Sequence, residues 1–378
     1  MMDGFDAALE KISAGAYVHF ASSDNADMRY LTRFTVHDPV LYVRRKGEKG
    51  TLVVPRMEYE RACSSTTKAE ILSRSDTDFF PYLEEEHDPL SAYTRIIIDL
   101  AGEEKIAVPE AFPFGLAYEL QKSVAVIPDG GIVEKRRTIK SNDEAAEIRK
   151  AQEAAQEAIR LASDLIAGAT PVNGILYSDG EVLTSERLRA CMHRMLLDRG
   201  YSAHDTIVSC GKDSSMPHMI GSGPLYENEP VVIDCFPRSD SSGYYGDMTR
   251  TVLKGEPSEK LNEMYNAVLH AQELAISMVR PGVSGSEVHG TVTDYFYDQG
   301  FHTGSEGFTH SLGHGVGLEV HEGPSVGPNG GKLRKGNVIT IEPGLYYGST
   351  GGIRIEDTGI ITEKGFESFS TLTKELIL

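Results

Sequence analysis

The amino-acid sequence predicts an α/β domain followed by an α+β domain assembled from two similar halves. Three observations carry the prediction. Short apolar runs alternate with helical stretches over roughly the first 130 residues. A capped helix rich in alanine and glutamate then marks a boundary. Beyond it, one order of elements (helix, proline–glycine turn, helix, strand pair) occurs twice. With 378 residues the chain is long enough for two domains, and the boundary sets them at 1–135 and 136–378.

In the first domain the candidate strands are AYVHF (16–20), VLYVRR (40–45), TLVV (51–54), TRIIIDL (94–100) and KIAV (105–108). Only three of the twelve histidines fall here, and no compact ligand cluster, so the chemistry is sought in the second domain. There, Ser141 with Glu144 three residues on forms a capping-box signature. It opens a helix over about 142–167 that closes near Gly168 and Pro171. The PVNG turn leads to a helix over about 181–199, then to strands ending in VVID and GDMTRTV. A helix over about 258–280, the PGVSG turn, a helix over about 284–299 and strands carrying VITIE and IRIEDTG repeat that order.

Composition narrows the function classes. Hydrophobic content of 40% and charged content of 25% are ordinary for a globular protein. Lys plus Arg is 37 and Asp plus Glu is 56, so the net charge is 37 − 56 = −19. So acidic a surface argues against a nucleic-acid partner, because neutralising phosphates supplies most of that affinity. No apolar run reaches the roughly 18 residues of a membrane span. The start, MMDGFDAALEKISAG, lacks the basic-then-apolar pattern of a secretory leader. Cys63, Cys191, Cys210 and Cys235 lie far apart without a CxxC pair, as expected of reduced thiols in a cytoplasmic protein.

If the two halves correspond, Asp234 at the end of VVID matches Glu342 at the end of VITIE, and Asp247 in GDMTRTV matches Glu356 in IRIEDTG. Strand alternation puts Ile353 and Ile355 on one face and Arg354 and Glu356 on the other, and likewise groups Asp247 with Thr249 and Thr251. The fifth element is HSLGHGVGLEVHE (310–322), three histidines at offsets of four and seven. Glycines at 313, 315 and 317 disfavour a helix there, so a loop or irregular strand is expected, with its backbone close to something. Taken singly, an Asp at a strand end is usually a turn or cap residue, and a histidine between glycines a surface loop. The ordered set of acid, acid, histidine, acid, acid is what points to chemistry. Four carboxylates converging without cations would raise one another's pKa values, a penalty that two divalent ions remove. An oxygen-dominated set with one imidazole suits Mn2+, Co2+, Fe2+ or, less readily, Zn2+. Bridging carboxylates suit the spacing of two-metal hydrolases.

These segments resemble the pita-bread metallopeptidases: methionine aminopeptidase, aminopeptidase P, prolidase and the metal-free creatinase. The matching stretches are VVID (231–234), GYYGDMTRT (243–251), HSLGHGVGLEVHE (310–322), ITIEPGLY (339–346) and GIRIEDTG (352–359). RYLTRF (29–34) and TLVVPRMEYERA (51–62) look like the creatinase-type amino-terminal domain. The resemblance implies a creatinase-like α/β domain plus a pita-bread α+β catalytic domain with an internal pseudo-twofold repeat. It implies two divalent metal ions per subunit, most readily Mn2+ or Co2+. Asp234 would bind one metal, Asp247 and Glu356 would bridge both, and His314 and Glu342 would complete the ligand set. His321 is similar to the histidine that contacts substrate and tetrahedral intermediate. His310 and His218 resemble the further active-site histidines of proline-specific members, and Arg354 the arginine beside their last glutamate.

The implied activity is cleavage of Xaa-Pro dipeptides through a hydroxide bridging the metals, with Glu342 moving the proton and His218, His310 and Arg354 as candidate partners of the proline carboxylate. Aminopeptidase P, acting on longer Xaa-Pro peptides, shares every one of these features. A creatinase-like hydrolase or a non-catalytic relative would not need the intact ligand set. The expected partner is thus a small peptide with proline second, with neither nucleic acid nor membrane, and the resemblance implies a homodimer. One departure stands out: relatives commonly have Asp-x-Gly at the first ligand and the second Asp eleven positions on, whereas here Asp234-Cys235-Phe236 precedes an Asp247 thirteen positions on. An even insertion keeps both Asp residues on one face.

Overall fold

The computed structural model describes residues 4–65 and 68–378 and divides into two compact units, Met1–Arg137 and Thr138–Leu378. The first three residues of the acidic start lie outside the described residues.

The amino-terminal unit is built on a six-stranded mixed sheet. Its strands run in the spatial order Glu70–Ser73, Thr51–Val54, Val40–Arg45, Ala16–Ala21, Lys105–Val108, Ala125–Pro128. Ala16–Ala21 pairs antiparallel with Val40–Arg45 and parallel with Lys105–Val108, so hairpin and crossover connections meet at the first strand. Alternation divides the apolar residues between two cores. Tyr17 packs with Phe5, Met28 and Phe34, whereas Ala16 and Val18 pack with Ile96, Ile97 and Ile106.

One expected strand is corrected. TRIIIDL (94–100) lies inside the helix Pro89–Ala101. Its ends explain why. Asp88 accepts a hydrogen bond from the Ser91 N–H, Pro89 opens the first turn, and Gly102 ends the helix at a left-handed φ of 59°. Ala92, Ile96 and Ala101 are buried at helical spacing. Three consecutive isoleucines fit either period over so short a window, and the caps decide between them.

The carboxy-terminal unit repeats itself. In the first half the helices Asn142–Ala167 and Ser185–Asp198 precede a sheet ordered Ile207–Cys210, Val231–Cys235, Met248–Val252. In the second, Glu259–Met278 and Gly285–Asp298 precede Gly313–Gly315, Val338–Ile341 and Asp357–Thr362, in the same spatial order and flanked by Glu322–Val326 and Gly365–Ser368. The pairing is antiparallel throughout both sheets. The long first helix starts at a capping box: the Ser141 hydroxyl accepts from the Glu144 N–H, and the Glu144 carboxylate accepts from the Ser141 N–H.

Each half buries its own core under the helices. Ala155, Ile159 and Leu188 pack against Ile233 and Met248, and Met264, Val268 and Val292 against Ile339 and Ile341. The halves are joined strand to strand: the Glu356 N–H donates to the Thr249 carbonyl at 3.1 Å. The Thr251 hydroxyl donates to the Arg354 carbonyl at 2.9 Å and accepts from the Arg354 N–H at 3.0 Å. With one face of each sheet spent on the helices, polar side chains gather on the other. Among the described residues no helix is long and apolar enough to cross a membrane.

Candidate metal centre and substrate cavity

Register explains why the acids converge. Asp234 stands opposite Thr249 on one side and Ile207 on the other. Its neighbours Ile233 and Cys235 are fully buried in the core, which turns Asp234 to the opposite face. Asp247, two residues before Thr249, shares that face. Glu342 directly follows the buried strand Val338–Ile341, and Glu356 follows the fully buried Ile355. Asp234, Asp247, His314, Glu342 and Glu356 all line one cavity of about 660 Å3, as do His218, His310, His321 and Arg354. A second cavity of about 700 Å3, around Cys210–Asp213 and Gly348–Gly351, has no histidine in its wall.

The glycines beside His314 now have their reason. Gly313–Gly315 is a short irregular strand held between Glu322–Val326 and Val338–Ile341, with a register shift between its two glycines. A Cβ at Gly313 would run into the Thr340 carbonyl, and one at Gly315 into the Gly323 carbonyl. The neighbouring backbones therefore close in tightly, and the His314 side chain leaves between them into the cavity. Its Nε2 lies 3.2 Å from Glu342 Oε1 and 3.6 Å from Asp247 Oδ2, while Nδ1 is 3.0 Å from the Gly315 carbonyl oxygen.

The acids do not titrate alike. Burial, and then the charge of Asp234, push the Asp247 carboxyl well above the usual carboxylate range. Burial, and then Asp247, do the same to Glu356. Glu342 goes the other way, to about 2, because the His314 hydrogen bond and charge outweigh its burial. His314 is correspondingly raised to about 9, its burial overcome by Glu342. Without a bound cation, His314 and Glu342 would form an ion pair beside two carboxyls that resist ionisation. A divalent ion would have to displace those protons, since ligands bind deprotonated.

The residues fit such an ion. Donor atoms of Asp247, His314 and Glu356 all lie within 4.8 Å of one another. Asp234 Oδ1 is buried without a hydrogen-bond partner, a costly state for a carboxylate oxygen. Both acids are tied down: the Asp247 N–H donates to Gln152 Oε1 at 2.8 Å, and the Thr249 hydroxyl donates to Glu356 Oε2 at 2.8 Å.

Arg354, 4% exposed, donates to Asp234 Oδ2 at 2.7 Å, to the Tyr346 hydroxyl at 2.9 Å and to Thr249 Oγ1 at 3.1 Å. The Tyr346 hydroxyl, which accepts from Arg354, also pairs with His310 Nε2, 2.9 Å away. His310 Nδ1 then donates to the Ser311 carbonyl at 2.7 Å. Both His310 nitrogens are therefore engaged within the protein, and burial lowers the pKa of its ring. His310, a candidate partner of the proline carboxylate from the sequence, lies in the cavity wall with both ring nitrogens facing protein atoms. His321 stands edge-on to His314, ring centroids 4.2 Å apart, with its pKa lowered by burial and then by His314. His218 is exposed at the cavity rim. Sequence reasoning passed over Tyr346 and Gln152, whose roles arise from contacts that no local spacing announces. Cys235, where relatives carry the residue between Asp and Gly, is fully buried with its thiol pushed up by burial, so it is no reactive thiolate. Phe236 lines the cavity.

Comparison with known proteins agrees with this architecture. Residues 6–139 match the creatinase/prolidase N-terminal domain, and residues 146–363 match metallopeptidase family M24. The chain is 33% identical over 346 residues to an Xaa-Pro dipeptidase of Pyrococcus horikoshii, covering 89% of this chain and 88% of that one. The structure of an Xaa-Pro dipeptidase from Bacillus anthracis superposes with a TM-score of 0.83 at 25% identity, covering 99% and 98% of the two chains. That of an X-Pro aminopeptidase from Thermotoga maritima gives 0.79 at 25% identity, covering 98% and 100%. With a creatinase-like α/β domain preceding a pita-bread domain that gathers these acids and histidines, the chain belongs to metallopeptidase family M24.

Proposed function

We propose that this protein is a two-metal Xaa-Pro dipeptidase. The observation that carries the reading is the single cavity lined by four carboxylates and His314, with an unpartnered Asp234 oxygen, beside the neutral His321. Asp234, Asp247, His314, Glu342 and Glu356 would hold the ions; Mn2+ or Co2+ suits this donor set best. When bound, such ions supply a water acidified toward neutral pH and a Lewis acid for the scissile carbonyl. Glu342 takes the proton of the attacking water and returns it to the leaving proline nitrogen. His321 offers an N–H to the carbonyl oxygen as charge develops there. Arg354 holds Asp234 in place through its 2.7 Å hydrogen bond. Ile207, Ile220, Phe236 and Val320 give the cavity an apolar side for the proline ring, and His218 meets the substrate at the rim.

The similarity to Xaa-Pro dipeptidases supports the dipeptide substrate, and the similarity to an X-Pro aminopeptidase favours longer peptides as the second reading. Assaying Ala-Pro against Ala-Pro-Ala with Mn2+ or Co2+ separates them: turnover of Ala-Pro is expected, turnover of only the tripeptide assigns the second reading, and inertness toward both refutes the proposal. The free thiols fit a cytoplasmic location. A homodimer, implied by the family resemblance, is tested by light scattering on the purified chain.

A further inference from the structure

The proposed chemistry leaves unused a second polar network beside the ligand-bearing strands. Asp357 follows Glu356 and, by strand alternation, points to the other face. It is 3% exposed and binds two cations: Arg250 Nη2 at 2.8 Å and Lys374 Nζ at 2.7 Å. Arg250, itself 2% exposed, also donates through Nη1 to the Glu356 carbonyl at 2.6 Å. Its Nη2 and Nε reach the carbonyls of Leu372 and Thr373, both at 3.0 Å. Lys374 Nζ further donates to Gln272 Oε1 at 2.6 Å. An ammonium can only donate, so it meets the oxygen of that amide and leaves the NH2 end facing inward. That end donates to the Ile341 carbonyl at 3.0 Å and to the Ile355 carbonyl at 3.2 Å. These are the residues immediately before Glu342 and Glu356. The first half has its own fully buried glutamine, Gln152, gripping the Asp247 N–H at 2.8 Å. Only the second half closes its grip with a charge from the last residues of the chain.

We propose that Lys374 is a positioning residue for the metal centre: through Gln272 and Asp357 it fixes the strand ends that carry Glu342 and Glu356. The inference rests on the ligand set assigned above. A cation site tolerates only about 0.5 Å of misplacement in its donors. Groups that orient ligands from behind typically contribute 10–100-fold to metal affinity. Lys374 lies at the edge of the network with 28% of its side chain exposed, so it is a gentler target than Arg250 or Gln272.

The test uses the full chain, stripped with chelator and titrated with Mn2+ in a calorimeter, with thermal unfolding of stripped and loaded forms alongside. Lys374→Met is expected to weaken Mn2+ binding by about tenfold, and Lys374→Arg to restore most of it. A merely stabilising lysine would lower both unfolding temperatures equally, whereas a positioning lysine narrows the gap between them, because stabilisation by a ligand follows its Kd. Should Lys374→Met not fold, Lys374→Gln, which drops the charge but keeps a donor for Gln272, carries the same comparison. A variant that binds Mn2+ within about twofold of the parent, with the gap unchanged, overturns this inference alone. A parent that binds no Mn2+ overturns the ligand set and the inference together.

Discussion

Arg354→Met takes one positive charge from a site with four carboxylates while keeping most of the side chain's length. The guanidinium lies 2.7 Å from Asp234 Oδ2, with 5% of the Arg354 side chain and 13% of the Asp234 side chain exposed, so water screens the pair poorly. It also donates to Tyr346 and Thr249. Removing one partner of a buried ion pair strands the other charge, at a cost of about 3–5 kcal/mol. For a domain of this size each kcal/mol lowers the unfolding temperature by about 2–4 °C, which gives a drop of roughly 6–20 °C. The assay is thermal unfolding by circular dichroism, run on the chelator-stripped chain and again with saturating Mn2+. The stripped variant should show the full drop. The loaded variant should show less, because the cations take over the task of holding Asp234. If the stripped variant melts within about 2 °C of the stripped parent, the Asp234 charge is not what Arg354 stabilises and the electrostatic account of the site fails.

Asp247→Asn replaces a carboxyl whose ionised form burial and then the Asp234 charge disfavour; the stripped variant should melt at or above the parent, yet calorimetry should show Mn2+ binding lost. Gly313→Ala drives a methyl group into the Thr340 carbonyl, so it should cost about 1–3 kcal/mol in urea unfolding and weaken Mn2+ binding by displacing His314. The stripped chain should also lose stability as pH rises from 6.5 to 9. His314, raised to about 9 by Glu342, contributes stability that is fully present below its unfolded value of 6.5 and gone above 9. Asp247 and Glu356, also raised, bind more protons folded than unfolded, so they act with the same sign. An unfolding temperature that stays flat across this range in the stripped chain would contradict the ion pair.

Much of the cavity's polar lining was legible because strand alternation and a repeated element order are local signals. Ile353 and Ile355 are buried in the core while Arg354 and Glu356 line the cavity, the division their spacing predicts. The capping box at Ser141 and Glu144 likewise announces its helix from four residues. TRIIIDL misled because an apolar triplet carries no period of its own, and the information sat in Asp88, Pro89 and Gly102 around it.

From the sequence alone came the doubled order of elements in the second domain, the face each acid takes and the expectation of cations among so many carboxylates, since all three follow from periodicity and charge. Only the tertiary structure decided that His310 spends both nitrogens on Ser311 and Tyr346. It alone opposed the titrations of Glu342 and Glu356 and placed Lys374 behind the ligand strands. Those outcomes depend on which atoms meet across long stretches of chain, and on how completely water is excluded where they meet.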